Sequence, residues 1–301
     1  MSNMVKGIIT PVVTVLDEKK KIDCGANELL IKRLIDANVD GIVILGSTGE
    51  FPNLNLNERK YFVECGLKYI NNSIFTIVGV SSTVLEETES LIKLAEKYEA
   101  SAVMVIAPYY FGMDEEGLYS YFSHIAKFTE LPVILYNFPD RNNINLSPKL
   151  VYRLANNHKN IIGIKDTVDN ISHTRKIIQQ FNEFNRDFFI YSGLDEYLIP
   201  NLFCGGSGSI CGLSNVAPML YVKIWNAFKS KNIDELMNLQ KYLMILLELF
   251  EVTNPFTISI KYALKFVGLD IKPFVKYPDI HLSEEQINRI KTIVTKLDNF
   301  I

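Results

Sequence analysis

Eight short apolar runs recur along the chain, each followed by a longer stretch with helical periodicity, and this alternation restricts the fold more than any other feature. The runs are GIITPVVT (7–14), DGIVILG (40–46), IFTIVGVS (74–81), SAVMVIAP (101–108), PVILYN (132–137), IIGIKD (161–166), FFIYSG (188–193) and SGSICG (207–212). They are almost continuously apolar, without in/out alternation, which is the pattern of parallel strands buried on both faces. Strands that alternate with helices read as βαβ units. Helical spacing over 26–38 sets Leu29, Leu30, Arg33, Leu34 and Ala37 on one helix. Residues 57–70 open on Asn57 as an N-cap ahead of Glu58, and 84–99 and 115–129 are similar. From about 216 onward the chain reads as helical, with breaks near Asn254-Pro255 and Pro273.

Eight such repeats followed by a helical tail predict an α/β chain folded as a (β/α)8 TIM barrel with a C-terminal helical extension. Residues 1–215 would form the barrel core, and 216–301 the last barrel helix plus the extension. The competing architecture is an open, doubly wound sheet. It would place a glycine-rich phosphate loop after the first strand, where this chain reads TPVVTVLDE.

With 301 residues the chain can bury a large core, and a net charge of −3 provides no global basic surface for nucleic acid or anionic lipid. No apolar run reaches the roughly 18 residues that span a bilayer. The apolar segment Gly7–Val15 contains Pro11 and lacks the layout of a signal peptide, so a cytoplasmic location is expected. Cys24, Cys65, Cys204 and Cys211 form no CxxC pair and have no histidine at metal-ligand spacing, which reads as reduced thiols. His124, His158, His173 and His281 fall outside the strand ends. Surface or capping roles are expected of them, and no metal site is implied.

In such a barrel the chemistry lies where strands end and βα loops begin. The sixth run ends in Lys165. A cationic lysine is costly to desolvate there, and burial favours the neutral amine, the form that attacks carbonyls. A lysine that snorkels or pairs with Asp166 is the alternative. The fifth run ends in Tyr136, whose hydroxyl either packs with a hydrogen-bonded partner or relays protons. The second run ends in Gly46-Ser47-Thr48-Gly49-Glu50, a turn whose N–H groups and hydroxyls can converge on a carboxylate. The fourth ends in Pro108-Tyr109-Tyr110, an aromatic pair suited to packing or an interface. In the eighth, Gly205, Gly206, Gly208 and Gly212 permit close strand packing.

Together, GIKD, YNFP, GSTGE and APYY, each closing a strand in this order, resemble the dihydrodipicolinate synthase / N-acetylneuraminate lyase family from Gly7 to about Pro218. The resemblance implies that Lys165 forms a Schiff base with pyruvate and that Tyr136 relays protons together with Thr48. It implies that Ser47 and Thr48 hold the pyruvate carboxylate and that the backbone carbonyl of Ile210 faces the site. Tyr110 looks like the tyrosine that members lend to a neighbouring subunit, implying a homo-oligomer, commonly a dimer of dimers. No metal or organic cofactor is implied, because the imine itself is the electron sink.

The partner aldehyde is read from the rest of the site. Lys165-Asp166-Thr167, followed by His173, resembles the 2-keto-3-deoxygluconate aldolase branch, as does Tyr136-Asn137-Phe138-Pro139. Asp195 and Glu196 of SGLDE resemble the residues that bind sugar-acid hydroxyls in sialic acid lyases; the alternative for the acidic pair is a helix N-terminal charge pair, and Thr167 and Gly193 are further candidate substrate-binding residues. Arg141 matches the arginine by which dihydrodipicolinate synthases hold the carboxylate of aspartate semialdehyde. However, Asp140-Arg141-Asn142-Asn143 lacks the Thr-Gly that follows that arginine in the synthases, and Phe51-Pro52 departs from their lysine-feedback site. The favoured expectation is an aldolase that reversibly splits a 2-keto-3-deoxy sugar acid into pyruvate and an aldehyde. Dihydrodipicolinate synthase comes next, then sialic acid lyase, and then a non-catalytic binder of 2-oxo acids.

Overall fold

In the computed structural model, which describes residues 5–301, every apolar run contains a strand. These are β1 (Gly7–Pro11), β2 (Gly41–Ile44), β3 (Phe75–Gly79), β4 (Ala102–Ile106), β5 (Val133–Asn137), β6 (Ile161–Asp166), β7 (Phe189–Ser192) and β8 (Gly208–Ile210). They pair in parallel in chain order, and β8 returns to β1 to close the barrel. The expected (β/α)8 barrel with a helical C-terminal part is therefore the fold, and the open sheet is not. Residues 1–4 of the expected barrel core lie outside the described residues.

Closure depends on a glycine. Gly208 pairs with Gly7 across the β1–β8 seam and has φ +137°. A Cβ there would lie 1.9 Å from the Gly7 carbonyl oxygen, so no other residue fits without moving the seam. The strands are buried on both faces, which explains their lack of alternation.

The helices between strands are capped by the short polar residues that precede them. Asp23 caps Cys24–Asp36, Asp114 caps Glu115–Phe128, Ser147 caps Pro148–Asn157 and Asn170 caps Ile171–Phe181. Two expectations need correcting. The helix after β2 runs Leu56–Ile70 and its N-cap is Asn55, not Asn57. Asn55 accepts from the Glu58 N–H and its own N–H donates to the Glu58 carboxylate, a reciprocal box that Asn57 is two residues too late to make. Leu29 is 53% exposed; the face of its helix that packs inward runs through Ala26, Leu30, Ile31 and Leu34.

After β8 the helices Pro218–Lys229, Ile233–Leu247, Leu249–Val252, Thr257–Phe266 and Glu284–Thr295 follow. The break near Pro273 is wider than a helix kink: residues 267–283 form no helix. All four cysteines are free thiols. Among the described residues, no helix is long and apolar enough to cross a membrane.

Candidate active site

Strand register brings the two strongest candidates together. Tyr136 on β5 and Lys165 on β6 are direct partners across the parallel ladder, and side chains alternate along a strand, so both turn the same way. Both line a cavity of about 270 Å³ with residues from the C-terminal ends of β2, β5, β6, β7 and β8. Lys165 is 3% exposed, and its Nζ lies 4.3 Å from the centre of the Tyr136 ring. Asp166 faces the opposite side of β6, where His173 and Thr174 engage it. A snorkelling or Asp166-paired lysine is thus not what the fold holds.

The GSTGE segment forms a tight turn. The Gly49 N–H donates to the Gly46 carbonyl at 3.0 Å, the Glu50 N–H to the Ser47 carbonyl at 3.0 Å, and the Thr14 hydroxyl to the Gly49 carbonyl at 2.6 Å. The turn presents Ser47 and Thr48 to the cavity. The hydroxyl that meets Tyr136 is that of Ser47, at 3.1 Å, whereas the resemblance joined Thr48 to Tyr136.

Thr167, Gly193, Asp195 and Ile210 complete much of the wall. The Thr167 hydroxyl oxygen is buried without a hydrogen-bond partner. Gly193 has no alternative: a Cβ would lie 1.8 Å from Thr167 Oγ1 and 3.0 Å from Lys165 Cε. Asp195 sits in the wall, but its Oδ1 accepts from the Tyr221 hydroxyl and from the Leu213 N–H at 3.1 Å. Burial pushes its carboxyl up to about 6 in spite of these donors.

Arg141, on the short helix Pro139–Asn142, stands at the mouth with its guanidinium 5.7 Å from the Phe138 ring centre. It also borders a second cavity of about 280 Å³, lined by Glu50, Phe51, Tyr109 and Thr257 and sharing Ser47 and Phe256 with the first. Glu196 and Tyr110 line neither cavity. Tyr110 is 90% exposed at φ +89°.

Several residues were not anticipated. Phe250 and Phe256, from the helical extension, also line the cavity. They flank the Asn254-Pro255 break, the one sequence signal that marked them. His173 is not at the surface: its side chain is 10% exposed and bonded at both ring nitrogens. His158 is partly buried against the Ser123 hydroxyl at 2.8 Å.

Comparison with known proteins agrees with this geometry. The family model described as "Dihydrodipicolinate synthetase family" matches residues 4–297. An "Uncharacterized DapA-like lyase" of Pyrococcus horikoshii is 35% identical over 96% of this chain and 100% of its own. The "Probable 2-dehydro-3-deoxy-D-pentonate aldolase YjhH" of Escherichia coli is 33% identical over 96% of each chain. Among solved structures, YagE of E. coli K12, a prophage protein crystallised in complex with pyruvate, superposes with a TM-score of 0.94 at 33% identity, covering 97% of this chain and 98% of its own. The chain belongs to the dihydrodipicolinate synthetase family and is a carbon–carbon lyase.

Proposed function

We propose that this lyase works through a Schiff base on Lys165 and reversibly splits a 2-keto-3-deoxy sugar acid into pyruvate and an aldehyde. The observation that carries this reading is the placement of Lys165: buried, directed into the cavity, and set beside Tyr136 with the Ser47 hydroxyl in reach of the Tyr136 hydroxyl.

The neutral amine attacks the C2 carbonyl, and the carbinolamine loses water to give the imine. Tyr136, bonded to Ser47, moves the protons these steps require. Breaking the C3–C4 bond sends its electron pair into the imine, leaving an enamine. The proton of the C4 hydroxyl goes to the relay and the aldehyde departs. Protonation at C3 and hydrolysis return pyruvate and free Lys165. The hydroxyls of Ser47 and Thr48 suit the carboxylate of the 2-oxo acid, and Ile210 lines the same cavity. The cycle needs no metal or organic cofactor. Tyr110, exposed and outside the lining of its own cavity, is read as completing a neighbouring subunit's site in a homo-oligomer, a dimer of dimers.

A sugar-acid substrate is favoured by the unpartnered Thr167 hydroxyl in the wall and by the relatives named as aldolases of 2-dehydro-3-deoxy sugar acids. Condensation with aspartate semialdehyde is the second reading, supported by the Arg141 guanidinium at the mouth. Borohydride reduction in the presence of pyruvate tests the chemistry: a covalent adduct at Lys165 is expected, and no adduct on folded protein overturns the reading. Turnover of pyruvate with glyceraldehyde against aspartate semialdehyde tests the substrate. Faster turnover with the semialdehyde replaces the first reading by the second.

A further inference from the structure

On the face of β6 opposite Lys165, Asp166 belongs to a closed ring of hydrogen bonds. Asp166 Oδ1 accepts from Asn137 Nδ2 at 2.9 Å, and Asn137 Oδ1 accepts from the Leu146 N–H at 2.9 Å. The Leu146 carbonyl faces His173 Nε2 at 3.1 Å, and His173 Nδ1 faces Asp166 Oδ2 at 3.0 Å. The Thr174 hydroxyl adds a donor to Oδ2 at 2.6 Å. The ring ties together the ends of β5 and β6, the segment 143–147 and the helix Ile171–Phe181. Asn137 and Asp166 are themselves register partners, one step beyond Tyr136 and Lys165.

The ring fixes a protonation state. The Leu146 N–H can only donate, so Asn137 must turn its oxygen there and its amide toward Asp166. The Leu146 carbonyl can only accept, so His173 Nε2 must carry a proton. Both Asp166 oxygens accept, one from the Asn137 amide and the other from the Thr174 hydroxyl, so His173 Nδ1 bonds it as a donor and must carry one too. A neutral imidazole satisfies only one of its two partners.

We propose that protonated His173 is a positioning residue that closes this ring, clamps the ends of β5 and β6 together, and so holds Lys165 against Tyr136. The proposal rests on the Schiff-base reading of Lys165. Burial pulls the imidazole down, but the bond to Asp166, the charge of Asp166 and the Leu146 carbonyl together outweigh it, and His173 titrates above the ordinary histidine value. The charged groups facing it are Asp166 on β6 and Lys176 on its own helix; the segment 143–147 offers the Leu146 carbonyl and no charge. On the next helix, Lys149 shares a surface groove with Lys176, and Arg153 is paired with Glu116.

The test pairs 15N-histidine NMR with the rate of borohydride-trapped pyruvate adduct on the full chain between pH 5 and 9. In wild type the His173 ring titrates above its ordinary value, and the trapping rate falls through the same pH range. His173→Gln loses that step and traps about tenfold more slowly at pH 6, with the pyruvate concentration for half-maximal trapping little changed, because Ser47 and Thr48 lie on the turn after β2, outside the ring. Asp166→Asn offers an N–H to a neutral ring and keeps the ring of bonds closed. Its His173 pKa falls, its pH step disappears, and it traps faster than His173→Gln. A wild-type His173 that stays neutral with one tautomer across the range, or a trapping rate that does not follow its titration, overturns the proposal. So does a folded His173→Gln with an unchanged profile. If His173→Gln does not fold, the wild-type co-titration decides. No adduct on wild type overturns the reading of Lys165, and with it any positioning role; that outcome is distinct from an adduct whose rate ignores His173.

Discussion

The Lys261 ammonium lies 2.5 Å from the Glu50 carboxylate, an ion pair between residues 211 positions apart with both side chains buried. Lys261 also donates to the Phe274 carbonyl at 2.6 Å, and Glu50 Oε2 accepts from the Lys276 N–H at 3.2 Å. The turn that carries Ser47 and Thr48 is thereby tied to the helical extension. Removing one partner strands a buried charge, which costs about 3–5 kcal/mol. Lys261→Met is therefore expected to lower unfolding stability by that amount, and Glu50→Gln with Lys261→Met by clearly less. Urea unfolding measures both, and a double variant no better than the single one would refute the coupling.

Tyr136→Phe removes a hydroxyl bonded to Ser47 and keeps the ring beside Lys165. General acid–base catalysis by a positioned group contributes about 10²–10⁴-fold. A loss in kcat within that range is expected, with the fold intact by circular dichroism. A variant within a fewfold of wild type would take proton relay away from Tyr136.

At Gly193 the smallest side chain collides with Thr167 Oγ1 at 1.8 Å and Cβ at 2.9 Å. Gly193→Ala is expected to lower kcat/KM by at least an order of magnitude, and adding Thr167→Ala to recover part of the loss by freeing that space. Equal activity in the single and double variants would mean that the clash is relieved elsewhere.

Asp195 titrates near 6, raised by burial above an ordinary value of 3.8. A raised folded-state value means that its contribution to stability is fully present below about 3.8 and lost as pH rises through about 6. Asp195→Asn carries no charge to desolvate, and its oxygen can still accept from Tyr221 and Leu213. It is expected to be more stable than wild type above pH 7 by on the order of 2–3 kcal/mol, seen as a higher unfolding temperature, with the margin closing as pH falls from 6 to 4. Thermal melts across that range check this; a pH-independent difference would contradict it.

Arg141 separates the two substrate readings. Arg141→Ala is expected to cost more with aspartate semialdehyde than with glyceraldehyde as the acceptor for pyruvate. Equal losses in kcat/KM would mean that its guanidinium does not read the semialdehyde carboxylate.

What was legible in the sequence follows from how local each signal is. A strand buried on both faces is apolar throughout, so the eight runs stood out, and Lys165, Tyr136 and GSTGE were visible because polar residues ended those runs. The cap of Leu56–Ile70 lies two residues before the expected Asn57 because several asparagines compete there, and only the reciprocal bond with Glu58 selects Asn55. Glu50–Lys261 and the ring through His173 join distant segments, and no spacing rule connects residues 211 positions apart. Phe250 and Phe256 reach the cavity from a part of the chain where periodicity reports helix but not where the helix docks.

That docking divides labour within one small chamber. The strand ends supply Lys165 and Tyr136, while Phe250 and Phe256 supply aromatic wall from the helical extension. Diversification can then proceed by exchange: under the proposed reaction, a chimera that grafts residues 249–257 from a relative is expected to take on that relative's preference for aldehyde size and polarity while its borohydride-trapped pyruvate adduct at Lys165 is kept.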